Sequence, residues 1–468
     1  MKNVLNNHTL HRQIGLFSAM VLVVANMVGT GIFTTSGFVM SEVGSPQAML
    51  LAWFVGGVFA LCGALCYGEL GAMYPRAGGE YVFLRESFGK AAAFVSGWVS
   101  LIVGFSAPIA AAAIAFATYF FRLWGAGSNG GLTITSMNLG IIKISPITTL
   151  AILIIVLFSF VHYHSLVFGA RVQNVLTVFK ITLIVFFAGA GFFVGHGSAE
   201  HFFGHFEIGS VLQEKFAVSL IFVSFAYSGW NAAAYLGGEI KKPGKNIPLA
   251  LFAGTLIVTC LYLVLNVLYI YALSPQEMSG VLEVGASSAE ALFGSRLGGC
   301  FTGAIALGLL SVLSAMIMAG PRVYYAMARD GVFFELFGRV NKLHRTPAHA
   351  IFLQSTIAIF MVLTASFEKL LIYIGFTLSL CAALTVIGMV KLRRGQPGLN
   401  RGYKTFGYPV TPLIFILGNM WIIYFSIKSQ PTASLIGLGT IGLGLAVFCY
   451  FIRKSAIRNG QSPSKAVQ

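Results

Sequence analysis

Long apolar runs separated by short polar stretches dominate the chain. Twelve are of bilayer-crossing length: roughly 14–39, 46–73, 91–121, 146–164, 168–194, 214–239, 247–273, 299–327, 349–366, 369–391, 408–427 and 433–452. A spanning helix needs about 20 mainly apolar residues. None of the runs alternates strictly between apolar and polar positions, and all exceed the ~10 residues of a barrel strand, which argues against a β-barrel. A helical bundle is the other arrangement that satisfies backbone polar groups in lipid. The longest polar connections, near 122–145, 195–213, 274–298 and 328–348, are too short for a separate soluble domain. The run after Arg12 is too long for a signal-peptide core, and no clear cleavage site follows it.

Two of these runs carry a weak point at mid-depth. Residues 25–33 read ANMVGTGIF, and residues 224–231 read SFAYSGWN. A helix opened inside the membrane frees backbone N–H and C=O groups, which is tolerated only where they line a cavity or meet a ligand. The N–H groups of Gly29, Thr30 and Gly31 would start a half-helix, whose partial positive charge suits a carboxylate. The carbonyls of Phe225, Ala226 and Ser228 would end another, and that end suits an ammonium. An anion site facing a cation site describes a receptor for a zwitterion, and an α-amino acid fits. The substrate contacts are therefore expected at Met27, Gly29, Thr30 and Gly31, and at Phe225, Ala226, Tyr227, Ser228 and Gly229. Simple helix packing is the competing explanation. It fits poorly, because Gly29 and Gly31 point about 200° apart on a helix and form no single face. The breaks fall in the first and sixth runs. They correspond if runs one to five and six to ten are repeats, and an odd number of spans per repeat inverts the second in the membrane.

Composition agrees with this reading: 57% of residues are hydrophobic and 9% charged, against about 25% charged in a soluble domain. The net charge of +16 suggests nucleic acid, but its distribution does not. With the N-terminus inside, twenty-three of the thirty Lys and Arg, Arg322 among them, fall in inside segments and six in outside ones. This asymmetry places both termini in the cytoplasm. Membrane lipids, with anionic headgroups, are the expected neighbours, and no nucleic-acid partner is required. The six cysteines all lie in spans, with Cys62 and Cys66 read as packing residues. No metal site is expected: His196, His201 and His205, with Glu200 and Glu207, lie in a glycine-rich loop without a supporting frame. His162 and His164 read as a solvated interfacial pair. Glu69 and Glu239 read equally well as ion-pair latches or as solvated charges. Trp53, Trp98, Trp124 and Trp421 fit interfacial or packing roles, with Trp53 away from the site. No acidic residue is expected to face the pocket, which disfavours cationic substrates, and the lack of a pocket Arg disfavours acidic ones. No span offers a nucleophile–base pair, which argues against an enzyme, and the spans supply too little charged lining for a channel.

Six motifs carry a resemblance: VGTGIF at 28–33, GELGAMYPRAGGEY at 68–81, ARVQNVLTVFK at 170–180, FAYSGWN at 225–231, GEIKKPGKNIPLA at 238–250 and GPRVYYAMARDG at 320–331. In this order and spacing the chain, over roughly 10–455, resembles the amino acid–polyamine–organocation (APC) superfamily, in its L-type and cationic amino acid transporter branches. The resemblance implies an all-α membrane protein of twelve transmembrane helices, a LeuT-like five-plus-five inverted repeat with discontinuous helices 1 and 6. The repeats would be 13–200 and 207–395, followed by two spans in 405–455, with cytoplasmic tails at 1–12 and 456–468. It implies a sodium-independent carrier of the plasma membrane or bacterial inner membrane that exchanges amino acids, neutral ones foremost, by alternating access. Neither a cofactor nor an obligate protein partner is implied. Proton symport and organic amine or polyamine antiport stay open. Gly29, Thr30 and Gly31 would bind the substrate carboxylate, and Phe225, Ala226 and Ser228 its amino group, with Phe225 closing over it. Thr30 stands where L-type members often have Ser, and Ser228 where they often have Gly.

Lys180 is the one Lys or Arg clearly inside a run, nine residues past Arg171 and so about 13.5 Å along a helix. An intramembrane charge is a functional candidate by default. The resemblance implies that it occupies the place of a sodium ion in sodium-coupled relatives. It would tie span five to the break of span one and to a hydroxyl on span eight, Ser311 or, preferentially, Ser314. Desolvation also leaves a proton-coupled role open for it.

Overall fold

The computed structural model describes residues 12–123, 137–139, 142–164, 166–203, 209, 213–341, 346–364 and 367–458. The helices in chain order are α1 (Leu16–Met27), α2 (Thr30–Val43), α3 (Pro46–Met73), α4 (Glu80–Phe88), α5 (Lys90–Val99), α6 (Ala107–Arg122), α7 (Pro146–His164), α8 (Leu166–Phe193), α9 (Glu214–Tyr227), α10 (Ala232–Tyr235), α11 (Pro243–Ala272), α12 (Pro275–Met278), α13 (Val284–Ala319), α14 (Pro321–Arg329), α15 (Ala348–Thr364), α16 (Phe367–Gly395), α17 (Val410–Ser429) and α18 (Pro431–Arg458). A π-helical segment, Ser100–Ser106, joins α5 to α6. A short antiparallel hairpin, β1 (Met137–Leu139) and β2 (Ile142–Ile144), precedes α7.

Among the described residues, ten helices are long and apolar enough to cross a membrane, with α1–α2, α5–α6 and α13–α14 each counted as one. The chain is thus an all-helical, multi-pass membrane protein. Two of the twelve runs fall outside that count for physical reasons. The ninth forms α15, of 17 residues. The sixth is split into α9, of 14 residues, and α10, of 4. The helix of the eighth run starts at Val284, well before the expected 299, and bends at Gly294, whose φ of 75° is left-handed.

Local chemistry explains the helix starts. Pro46, Pro243, Pro275 and Pro321 occupy first-turn positions, where the missing N–H costs nothing and φ is already helical. Small residues set how closely the helices approach. A Cβ on Gly56 of α3 would collide with Val223 of α9, and one on Gly57 with Thr259 of α11. The outward faces carry exposed apolar side chains, such as Leu153, Leu157 and Phe160 on α7 and Leu413 and Leu417 on α17. They are suited to lipid rather than water. At the centre, α1 packs on α8, α11 and α13, while α2 packs on α9. All six cysteines are free, with Cys62 and Cys66 buried.

Candidate functional site

The first break follows from its residues. Helix α1 closes with the Val28 N–H on the Val24 carbonyl at 2.9 Å. Val28 (φ −72°, ψ 89°) and Gly29 (φ −133°, ψ −149°) are non-helical, and α2 begins at Thr30. The N–H groups at the start of α2 have no partner within that helix. The Thr30 and Gly31 carbonyls accept from the hydroxyls of Thr34 and Thr35, at 2.7 and 2.8 Å.

The second break mirrors it. Helix α9 ends at Tyr227, and the Ser228 N–H turns back onto the Phe225 carbonyl at 2.9 Å. Gly229 has φ 95°, a left-handed value that favours glycine.

The two breaks abut. A Cβ on Gly31 would stand 2.6 Å from the Ala226 Cβ, and one on Gly229 would stand 2.9 Å from the Asn26 carbonyl carbon. Glycine is needed at both positions because another backbone occupies the space. The hydroxyl of Tyr262, on α11, bridges them: it lies in hydrogen-bond reach of the Met27 carbonyl and 3.0 Å from the Ala226 carbonyl. A tyrosine has one proton to donate, so the two carbonyls share it.

This bridge was not visible in the sequence, where Tyr262 is one of several aromatics in an apolar run. It also bears on the expected ammonium acceptors. The Ala226 carbonyl already meets Tyr262, and the Phe225 carbonyl meets Ser228, leaving each one further lone pair. Trp53 requires a correction. Expected away from the site, it is fully buried directly behind it, edge-on to Tyr262 with ring centroids 5.4 Å apart. Its carbonyl accepts the Tyr227 hydroxyl at 3.0 Å.

Lys180 is fully buried. Its Nζ donates to the Ala25 carbonyl at 3.3 Å and to the Val28 carbonyl, so α8 reaches the break of α1. The expected hydroxyl partner requires a second correction. Ser314 is engaged elsewhere, 2.8 Å from His162 Nε2. Ser311 is buried with no hydrogen-bond partner among the described residues. Ser314 lies within reach of α7, and His162, itself 4% exposed, takes it. The reading of His162 as a solvated residue falls with the same contact, whereas its neighbour His164 is exposed.

A cavity of about 90 Å³ opens beside the second break. Its lining includes Asn26, Phe225, Tyr227, Ser228, Gly229 and Met316, together with α3, α16 and α17, but not Gly29, Thr30 or Gly31. Its floor holds Glu80, the first residue of α4. This is a third correction, since no carboxylate was expected there. Glu80 is 4% exposed and accepts from the Tyr67 hydroxyl at 2.6 Å and the Asn231 amide at 2.9 Å. Burial pushes its carboxyl above the usual range, against the downward pull of these donors.

On the same side as Glu80, buried carboxylates meet arginines. Glu239 faces Arg322 at 3.0 Å, and its carbonyl accepts the N–H groups of Gln13 and Ile14 at 2.8 and 2.9 Å. Glu69 accepts from the Thr405 N–H at 2.7 Å and from its hydroxyl at 2.8 Å. Arg401 and Arg393 stand 3.1 and 3.4 Å from it, close enough for ion pairing though not angled for hydrogen bonds. The latch reading of Glu69 and Glu239 therefore describes their surroundings better than solvated charge. Arg322, grouped by sequence with inside loops, is buried. At the opposite end Arg122 pairs with Glu283, and the Gly280 N–H meets the Gly37 carbonyl at 2.9 Å. His196 and His201 approach backbone carbonyls, and no metal-ligating group of three is found among the described residues. His205, Glu207 and Trp124 lie outside the described residues.

Comparison with known proteins places this geometry. A family model described as amino acid permease matches residues 14–448. The chain is 29% identical to the large neutral amino acids transporter small subunit 2 of Mus musculus, covering 94% of this chain and 81% of that one. It is 31% identical to the serine/threonine exchanger SteT of Bacillus subtilis, covering 88% and 91%. It is 27% identical to the b(0,+)-type amino acid transporter 1 of Mus musculus, covering 91% and 85%.

Proposed function

We infer the activity from the premise that this chain belongs to the amino acid permease family: it is a sodium-independent exchanger of amino acids, neutral ones foremost. The joined pairs α1–α2 and α9–α10 act as spans one and six of twelve. Spans one to five and six to ten act as two inverted repeats, and both termini face the cytoplasm of a plasma or bacterial inner membrane. The substrate carboxylate docks on the N–H groups of Gly29, Thr30 and Gly31. Its amino group takes the remaining lone pairs at Phe225, Ala226 and Ser228, and its side chain extends into the cavity beside the second break. The names of relatives, an exchanger of serine and threonine among them, support this substrate class.

The observation that carries the reading is the Lys180 ammonium on the Ala25 and Val28 carbonyls. A helix end exposes carbonyls and attracts a cation. Here a covalently held one is already present, so the break needs no sodium ion to neutralise it.

The test is counterflow of a panel of labelled amino acids in proteoliposomes holding the purified chain alone, with sodium or choline as the cation. Neutral amino acids should accumulate against an unlabelled internal pool at equal rates in both salts. Uptake that requires sodium refutes the coupling, and absence of counterflow refutes the exchanger. One of these relatives is named as a small subunit; activity of this chain alone would show that it needs no partner.

A further inference from the structure

Building on the transport reading above, we propose that Glu80 is a proton-binding site in the floor of the cavity. It takes up a proton while the floor is closed and returns it to the cytoplasm when the floor opens, so that a proton accompanies the amino acid.

Three carboxylates are buried near this end of the bundle, and they are not alike. Glu239 has Arg322, and Glu69 has Arg401 and Arg393. Glu80 has no cationic partner among the described residues. The titratable groups facing it are Tyr67 from α3, Tyr235 from α10 and Cys381 from α16, with Tyr324 of α14 behind Tyr235. None of these carries positive charge. An ionised carboxylate without a counter-charge is strongly disfavoured in such a place, and neutralisation by a proton is the usual resolution. A metal ion fits poorly, because Tyr67 and Asn231 present donors rather than lone pairs.

The surroundings couple this carboxyl to a gate. Gly78 and Gly79, at φ 119° and 53°, lead directly into Glu80. The Gly78 N–H bonds the Tyr235 carbonyl at 3.0 Å, and Ala77 bridges to Leu236. A Cβ on Gly79 would lie 2.5 Å from the Tyr235 ring. The segment carrying Glu80 is thus stitched to α10, the short half of the second broken helix, and Asn231 at its start donates to the carboxyl. Any movement that separates α10 from α3 and α4 admits water to Glu80.

The proton balance is simple. With the floor closed and the cavity open on the far side, hydronium in the cavity gives up its proton and an O–H bond forms on Glu80. With the floor open, that bond breaks and cytoplasmic water takes the proton. The sign follows from burial. The closed floor raises the affinity of the carboxyl for a proton, so acid favours the closed floor. Rising pH disfavours it, because a bare charge must then be enclosed.

The test measures uptake of a labelled amino acid into vesicles loaded with unlabelled amino acid, together with lumenal pH from a trapped dye. Wild type should acidify the lumen in fixed proportion to the amino acid taken up. The Glu80→Gln variant should take up amino acid at whatever rate remains with no acidification, and Glu80→Asp should keep the proportion with a displaced pH profile. Infrared spectra of the purified chain at neutral pH supply a readout independent of transport: the carbonyl stretch of a protonated carboxyl should be present in wild type and missing in Glu80→Gln. Wild-type uptake without acidification, or a band that survives Glu80→Gln, overturns the proposal. A wild type that fails in amino acid counterflow overturns the transport reading instead, and the infrared band still judges Glu80.

Discussion

Replacing Tyr262 by Phe removes one oxygen from the centre of the molecule and little else. The ring keeps its packing against Trp53 and Tyr227, with centroids at 5.4 and 5.0 Å. The Met27 and Ala226 carbonyls lose their shared donor. Only one of them can hold the proton at a time, so the loss is one hydrogen bond and one buried acceptor left without a partner. That costs about 1–3 kcal/mol. If the bridge forms only when the two breaks are drawn together, the whole cost falls on that arrangement. A balanced equilibrium then shifts away from it by about fivefold to 150-fold. Substrate affinities measured from the two sides of the membrane should move in opposite directions, because one facing state gains what the other loses. Counterflow titrations on right-side-out and inside-out vesicles read both values. A lowered Tm with unaltered kinetics on both sides would mean that the bridge is common to all states. Unchanged kinetics together with unchanged Tm would refute the hydrogen-bonding argument altogether.

Other substitutions separate the remaining parts of the site. Gly31→Ala places a Cβ against Ala226; overpacking of this kind costs about 1–3 kcal/mol, and counterflow should be lost while membrane insertion, followed by fluorescence of a tagged chain, persists. Amino acid methyl esters, which lack the anion, should compete weakly with the parent amino acids in the same assay. Lys180→Ala leaves the Ala25 and Val28 carbonyls without their donor and should cut the exchange rate at least fivefold by the same per-group cost of about 1–3 kcal/mol; a silent variant would reduce the lysine to a packing residue. Phe225→Ala should raise KM by opening the cavity wall, whereas Trp53→Phe, placed behind Tyr227, should lower Tm before it alters KM.

Much of the fold is legible because lipid leaves the chain few choices. A run such as 146–164 has one structure open to it, and it forms α7 over those residues. The breaks were legible for the opposite reason: small-residue interruptions at mid-depth, Gly29 with Gly31 and Ser228 with Gly229, fit a helix that must open. What sequence periodicity does not carry is where a polar prefix joins a span. Residues 284–293 include Ser287, Ser288 and Glu290, yet they are helical and lead through the bend at Gly294 into the apolar part of α13. Nor does it carry pairings between distant segments. Tyr262 sits in LYLVLNVLYIY (261–271), where nothing in the pattern separates it from Tyr269 or Tyr271. Its role arises only when α11 packs beside both breaks.

The buried charges show where local reading ends. Lys180 is conspicuous because apolar residues surround it on both sides in sequence, and nothing nearby could neutralise it. Arg322 is equally buried, but it follows Gly320-Pro321 and precedes Arg329, which is the signature of an inside loop. Its burial depends on Glu239, which arrives from beyond the second break. Glu80 lies in a polar turn that marks no site by its pattern; it is enclosed because Tyr67 and α10 close over it. The three are compensated in different ways. A planar guanidinium holds the two-oxygen acceptor of Glu239 and also reaches the Met318 carbonyl. The Lys180 ammonium meets the carbonyl end of a broken helix, where only partial charges oppose it. Glu80 meets donors but no cation, which leaves its charge to be cancelled by a proton. Arg322 is therefore suited to holding a closed arrangement, Lys180 to replacing a bound ion, and Glu80 to changing its charge during the cycle.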